Sequence, residues 1–430
     1  VKGLLKMGGE FLLKTKLFWG LAALYGAGVI LSPVNHKGAN IFLMSGNQAD
    51  VLRQVSNNGI IAVGMTLVIL TGGIDLSVGS MMSLGCMLCA MLLTLQGWTA
   101  ASSASIPILA CVAVFLCGYL VPLVATNLRR GSAKAVQRAG WGTRLLSVAI
   151  GLLVAGLLVG WTTGQLQTKF GVLGVLVTVP AVGFAIGGLT GLIIAKGKLQ
   201  PFIVTLAMMV AVLGLARLLG GETAAVYPVY TGSNATEKFE ILRTLVLQVI
   251  PVPGIFFLVA VLTFGFILKY STFGRYIYAI GGNEQAARLA GIHVDQIKTA
   301  VYAISGMLAA LAGVLYTSQY RQGKPDAGAG GELDAIAAVV IGGTNLMGGK
   351  GSMTGTFVGV LIFGFLTNIL LLKNINSNIQ FVLKGAIILG AVLLQEGQIG
   401  LWWKRLRAHT RKLGTGRLQK NEVQQPANLR

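Results

Sequence analysis

Residues 62–80 read AVGMTLVILTGGIDLSVGS, and they decide how the rest of the chain must be understood. The stretch is apolar back to about residue 52, and a second apolar run continues from Leu76 to about residue 95. Between the two runs stands only Thr71-Gly-Gly-Ile-Asp75. Gly72 and Gly73 allow a sharp break in the backbone. Asp75 is placed to cap the helix that follows, accepting from the N–H groups of Ser77 or Val78. A carboxylate at that depth is expensive to bury. Asp75 is therefore either an N-cap that fixes a helix hairpin or a group that couples transport to a proton or ion.

Outward from this stretch the same pattern repeats. Of 430 residues 54% are hydrophobic and only 11% charged, against roughly 25% charged in a soluble domain. With a mean hydropathy of +0.75, a soluble enzyme or a DNA-binding protein is excluded in favour of an integral membrane protein. A hydrocarbon core about 30 Å thick takes about 20 apolar residues of helix. That rule places spans near 17–34, 52–70, 76–95, 105–126, 145–162, 171–195, 201–219 and 249–268. Further spans fall near 299–319, 334–347, 354–372 and 379–396. The 334–347 piece is short and bounded by glycine, which predicts a broken or re-entrant helix.

The net charge of +21, from 34 Lys+Arg against 13 Asp+Glu, raises the question of a nucleic-acid partner. Its placement answers otherwise. With the N-terminus inside, about 24 of the 34 basic residues fall on the cytoplasmic side, as the positive-inside rule expects. The basic tail 404–430, after Trp402 and Trp403, reads as an anchor on anionic lipid rather than a nucleic-acid arm. The N-terminal basic and apolar stretch reads as an uncleaved first span, with both termini cytoplasmic. Cys86, Cys89, Cys111 and Cys117 lie in apolar runs without zinc spacing and read as small apolar helix residues, so no metal site is expected.

A second acidic opening occurs at Gly331-Glu-Leu-Asp334, ahead of small apolar residues that end at Gly342-Gly-Thr-Asn345. In this topology Asp75 opens a span leaving the cytoplasm and Asp334 one returning to it, which suggests an inverted repeat. The glycines of 342–352 invite a phosphate-loop reading, but Thr344 stands where the first glycine is required and Gly351 follows Lys350. The stretch is read as a tight cytoplasmic turn, and no nucleotide site is expected in this chain. The longest hydrophilic insert, within 269–298, contains Asn283 as a helix N-cap, Glu284 paired to Arg288, and Gly291 as a C-terminal stop. A helix this short needs something to rest on, either its own bundle or a partner.

Four stretches now form a pattern: AVGMTLVILTGGIDLSVGS (62–80), AKGKLQPFIVTL (195–206), GRYIYAIGGNEQAARLAGI (274–292) and GELDAIAAVVIGGTNLMGGKGS (331–352). Together they closely resemble the permease subunit of ribose-type bacterial ABC importers, a family with xylose, galactose and arabinose members. The resemblance covers about 50–95 and 190–396 and implies an all-α, polytopic bundle of about 10–12 transmembrane helices with inverted-repeat character. It further implies cytoplasmic ABC ATPase subunits carrying ATP and magnesium, a periplasmic sugar-binding protein, and a second permease copy or paralogue, in an inner membrane. Residues of about 96–170 have no counterpart in that pattern and read as an inserted helix pair within one transmembrane domain, 1–430.

In that family the loop matching 269–298 carries a coupling helix. The resemblance assigns partner docking to Asn283, Glu284, Ala287, Arg288, Leu289 and Gly291. The expected pathway and helix breaks take Thr71, Gly72, Gly73, Asp75, Ser77, Asp334, Gly342, Gly343, Thr344 and Asn345. The function expected is ATP-driven import of a monosaccharide, with no catalysis by this chain and no cofactor bound to it. The rival readings are a self-sufficient secondary transporter or channel, or the same fold carrying a nucleoside, an autoinducer or an amino acid.

Overall fold

A computed structural model describes residues 18–94, 172–221, 226–229, 237–246 and 250–395. The inserted pair expected at 105–126 and 145–162 and the basic tail 404–430 lie outside these residues. What is described is almost wholly helical. Helix α1 is Phe18–Leu31, α2 Ser45–Leu70 and α3 Val78–Thr94. They are followed by α4 Val172–Gly197, α5 Pro201–Leu219 and α6 Val252–Tyr270. Then come α7 Thr272–Gly282, α8 Glu284–Leu289, α9 Val294–Tyr320, α10 Gly331–Ile341 and α11 Met353–Leu372. Five of these, α4, α5, α6, α9 and α11, are long and apolar enough to cross a membrane. The chain divides into two units, 1–375 and 376–430. Within the second, α12 (Ser377–Gln395) opens with the Gln380 N–H on the Asn376 carbonyl.

Helix α9 is the centre of the first unit, and α4, α3 and α2 pack on it. A helix buried all round needs small residues wherever a neighbour's backbone comes close. On α4 these are Gly183, Gly187 and Gly191, one turn apart. A Cβ at Gly183 would collide with the Gly306 carbonyl of α9, one at Gly187 with the Tyr302 carbonyl, and one at Gly191 would sit 2.7 Å from Thr299 Cα. The order of these contacts makes α4 antiparallel to α9. Gly64 of α2 lies as close to Ser305, where a Cβ would be 2.9 Å from its Cα.

Short strands attach at helix ends: β1 Tyr227–Pro228 pairs antiparallel with β4 Gln322–Gly323, and β2 Leu245–Val246 with β3 Ile250–Pro251. The connection after β4 does not stay at the end of the bundle. The Gly328 N–H donates to Ser83 Oγ at 2.9 Å, and Gly328 packs on the Gly79 carbonyl near the start of α3. From there α10 begins, beside Gly79, and runs only 11 residues to Ile341. The expectation of a short, broken helix in this region is matched by this geometry.

Candidate functional site

The break read at Thr71–Ser77 exists, but its geometry differs from a simple cap. Helix α2 ends at Leu70, and α3 starts only at Val78. Asp75 therefore stands three residues ahead of the helix, and the Ser77 carbonyl receives the N–H of Met81 at its mouth. One oxygen of the Asp75 carboxylate accepts from the Ser77 N–H at 3.0 Å and from Ser77 Oγ at 2.6 Å. The other accepts from Ser305 Oγ of α9 at 3.0 Å. Asp75 is 2% exposed, and among the described residues no ion pair includes it. The carboxyl group is met by two hydroxyls and one N–H ahead of the N-terminal end of α3. The Thr205 hydroxyl of α5 closes on the Ile74 carbonyl at 3.2 Å. The Tyr302 ring covers Gly73, where a Cβ would run into its hydroxyl.

Three glycine pairs, Gly72–Gly73, Gly281–Gly282 and Gly348–Gly349, meet at one place. Gly349 donates its N–H to the Leu70 carbonyl at 3.0 Å, capping the end of α2 from the loop before α11. Gly281, in the last turn of α7, presses on that same carbonyl, and a Cβ on Gly348 would stand 2.8 Å from the Gly72 nitrogen. Gly348 and Gly349 hold φ of +88° and +71°, a left-handed backbone that admits little besides glycine. Tyr278 Oη adds a 3.0 Å bond to the Gly351 carbonyl. The end of α7, the 345–351 loop and the start of the break are therefore joined backbone to backbone. Thr344 is fully buried at the base of this loop, and Asn345 Oδ1 accepts from the Met347 N–H. Gly342 crosses α11 at Gly355, and Gly343 turns with φ +86°.

Helix α8 follows directly. Asn283 Oδ1 accepts from the Ala286 N–H at 3.0 Å, the cap read from sequence. Gly291, at φ +83°, ends the helix with its N–H on the Arg288 carbonyl. Glu284 binds Arg288 at 3.0 Å and Lys298 of α9 at 2.6 Å, and Arg288 reaches Asp295 at 2.6 Å. Partial burial raises the Glu284 carboxyl, but Lys298 and Arg288 together outweigh it and hold the group below its ordinary value. The stabilisation is thus complete above the ordinary glutamate range and lost only as pH falls through the lowered value. Protection factors of the α8 amides, corrected for the intrinsic pH dependence of exchange, are expected to be flat from about pH 8 to about pH 5, and protection that fades within that window would contradict this anchoring. The faces of α8 are not equivalent. Ala287 is 4% exposed and packs inward, whereas Leu289 is 90% exposed. Of the residues assigned to docking, Ala287 supports the helix, while Asn283, Arg288, Leu289 and Gly291 are exposed, Leu289 being the large apolar side chain among them.

Asp334, expected to open its helix, lies in the first turn of α10 behind Glu332. Its Oδ2 accepts from Asn58 Nδ2 of α2 at 3.4 Å. Sequence reasoning did not single out Ser305, Tyr302, Asn57, Asn58 or Gln319. Isolated polar residues within apolar spans were the available signal for them.

A family model described as branched-chain amino acid transport system / permease component matches residues 47–130 and 141–392. Among curated proteins, a ribose import permease protein of Haemophilus influenzae is 37% identical over 386 residues, covering 90% of this chain and 94% of that protein. A ribose import permease protein of Escherichia coli K12 is 38% identical over 376 residues, with 86% and 91% covered. A xylose transport system permease protein of the same organism is 35% identical over 363 residues, with 83% and 86% covered. No solved structure matches the chain.

Proposed function

Since this chain belongs to the family of branched-chain amino acid transport system permease components, we propose that it is the transmembrane subunit of an ATP-driven importer of a monosaccharide. Relatives named for ribose and xylose, at 35–38% identity over most of both chains, support the sugar. The inner membrane is the expected location, with both termini in the cytoplasm, and a periplasmic sugar-binding protein delivers the solute. ATP and magnesium belong to separate cytoplasmic ATPase subunits, and this chain performs no chemistry. Exposed apolar side chains on α5 and α6, such as Val210, Leu262 and Phe266, suit lipid and a second permease copy.

The observation that carries this reading is the outward-facing helix α8 joined to the Asp75 break. Leu289 presents an almost fully exposed apolar side chain on a helix held by Asn283, Glu284 and Arg288. Met347, 75% exposed, projects from the loop that caps α2. A partner that grips these side chains and moves as its own subunits close would displace α7, the 345–351 loop and the end of α2 together. That motion reaches Asp75 and Ser305, where a rigid shift of α3 against α9 opens one side of the pathway and closes the other.

The test is reconstitution with the ATPase subunits and the binding protein. Leu289→Asp is expected to reduce stimulated ATP hydrolysis at least tenfold while the permease inserts and remains monodisperse. Ala287→Asp, by contrast, places a charge inside the fold and should lower thermal stability as well. Undiminished stimulation with Leu289→Asp would remove α8 as the docking element. Uptake by the permease alone, driven by a proton gradient, would replace the importer reading with a secondary transporter.

A further inference from the structure

The Ser45 end of α2 carries a polar strip that neither the coupling surface nor the Asp75 break uses. Arg53 and Asn57 lie one helical turn apart on it, and each has a buried polar atom with no hydrogen-bond partner among the described residues: Arg53 Nε, a donor, and Asn57 Oδ1, an acceptor. Asn57 is 4% exposed, and its Nδ2 is already committed to Gln319 Oε1 of α9 at 2.9 Å. The neighbouring Asn58 reaches Asp334 of α10 through a long 3.4 Å bond. Beside Gln319, the rings of Tyr316 and Tyr320 lie tilted at 38°, with centroids 4.3 Å apart. An orphaned buried polar atom typically costs about 1–3 kcal/mol. Two of them a turn apart, of opposite hydrogen-bonding sense, are unfavourable unless an ordered water or a ligand completes them.

We infer that this strip is a solute subsite within the permease itself, taking a hydroxylated solute of monosaccharide size through Arg53, Asn57, Asn58, Gln319 and Asp334. A hydroxyl both donates and accepts, so neighbouring hydroxyls of one ring satisfy Nε–H and Oδ1 at once. Asn58, Gln319 and Asp334 add amide and carboxylate partners, and the tyrosine pair supplies an apolar face for the ring carbons. The arrangement disfavours an amino acid. The charge of Arg53 is already matched by Asp50 at 2.7 Å, which leaves Arg53 no full charge to offer a ligand carboxylate. The inference rests on the importer reading for its direction: in that topology the Ser45 end of α2 is the outer end, where cargo arrives.

The experiment measures equilibrium binding of radiolabelled D-ribose and D-xylose to the purified full-length chain in lipid nanodiscs, without partner subunits. Saturable binding of at least one sugar is expected, in the range of about 1 mM, with unlabelled L-leucine failing to compete. Asn57→Leu should weaken binding at least tenfold. It removes the orphaned oxygen but also the donor to Gln319 Oε1, so the double variant Asn57→Leu/Gln319→Leu, which leaves neither amide unpaired, should match the parent's thermal stability while still failing to bind sugar, which separates lost binding from lost folding. Asn58→Ala should weaken binding more mildly, and Leu262→Ala, on the exposed face of α6, should leave it unchanged. No saturable sugar binding, undiminished binding in Asn57→Leu, or equal competition by L-leucine would each overturn the subsite. The importer reading fails separately, by the absence of ATP-dependent uptake in the complete assembly.

Discussion

Placing leucine at Gly187 is expected to leave no recoverable folded protein. The Cβ alone would meet the Tyr302 carbonyl and stand 3.1 Å from Gly306 Cα and 3.2 Å from Ala303 Cα. Backbone on the opposing helix cannot rotate aside as a side chain does. The two helices must separate, and this is the contact on which the centre of the bundle depends. Overpacking costs about 1–3 kcal/mol where side chains can adjust, and more is expected here, since separating α4 from α9 also removes the contacts of Gly183 and Gly191 above and below. Within lipid the association of helices relies on such close packing. Recovery of monodisperse protein after extraction, with fluorescence-monitored melting, reads the effect. Gly214→Leu in α5 is the control, because none of the described residues lies within 4 Å of a Cβ there. Similar losses from both substitutions would show that general helix disturbance, rather than this crossing, is responsible.

The second large effect concerns Asp75. Asp75→Leu strips the acceptor from the Ser77 N–H, the Ser77 hydroxyl and the Ser305 hydroxyl, all inside the bundle. Each group left unsatisfied costs about 1–3 kcal/mol, and the hydroxyls recover part of this by turning to carbonyls of their own helices. The Ser77 N–H has no such recourse. Asp75→Leu is expected to be poorly folded and inactive. Asp75→Asn should behave quite differently, because its amide oxygen still accepts from Ser77 and its nitrogen donates to Ser305 Oγ. We expect it to fold and to retain most ATP-dependent uptake. A folded Asp75→Asn protein that has lost uptake, together with a parent whose uptake tracks the proton gradient, would assign Asp75 to proton coupling instead.

Much of the architecture was legible because a hydrocarbon solvent imposes a simple rule of length and apolarity. The spans read near 201–219 and 354–372 coincide with α5 and α11 to within a residue. The cap at Asn283 and the stop at Gly291 were equally readable, being local hydrogen-bond chemistry. Partners distant in sequence were not. Asp75 and Ser305 are 230 positions apart, and Asn57 and Gln319 are 262 apart. A helix that is apolar on every side offers no periodic stripe to say which face meets which neighbour. The glycines show the same limit. Composition reveals a surplus, 60 in 430, but Gly187 and Gly214 look alike until the chain is folded. In α8, six residues are too few for a period to emerge, so its inward Ala287 and outward Leu289 had to be seen.

Helix α10 has a consequence for biogenesis. Its 11 residues rise about 16 Å, roughly half the thickness of the hydrocarbon core. A segment so short, preceded by the non-helical approach through Gly328, presents the translocon with no complete hydrophobic span to release sideways into lipid. It docks at Asn58 on α2, at Gly79 on α3, and at Gly355 and Gly359 on α11. Those on α11 are synthesised after it. Insertion of α10 must therefore wait for the later helix to arrive, making it a late step of assembly. With a cysteine introduced in α10 by Ala338→Cys, a nascent chain truncated before α11 should be labelled there by water-soluble thiol reagents, and the full-length chain should not.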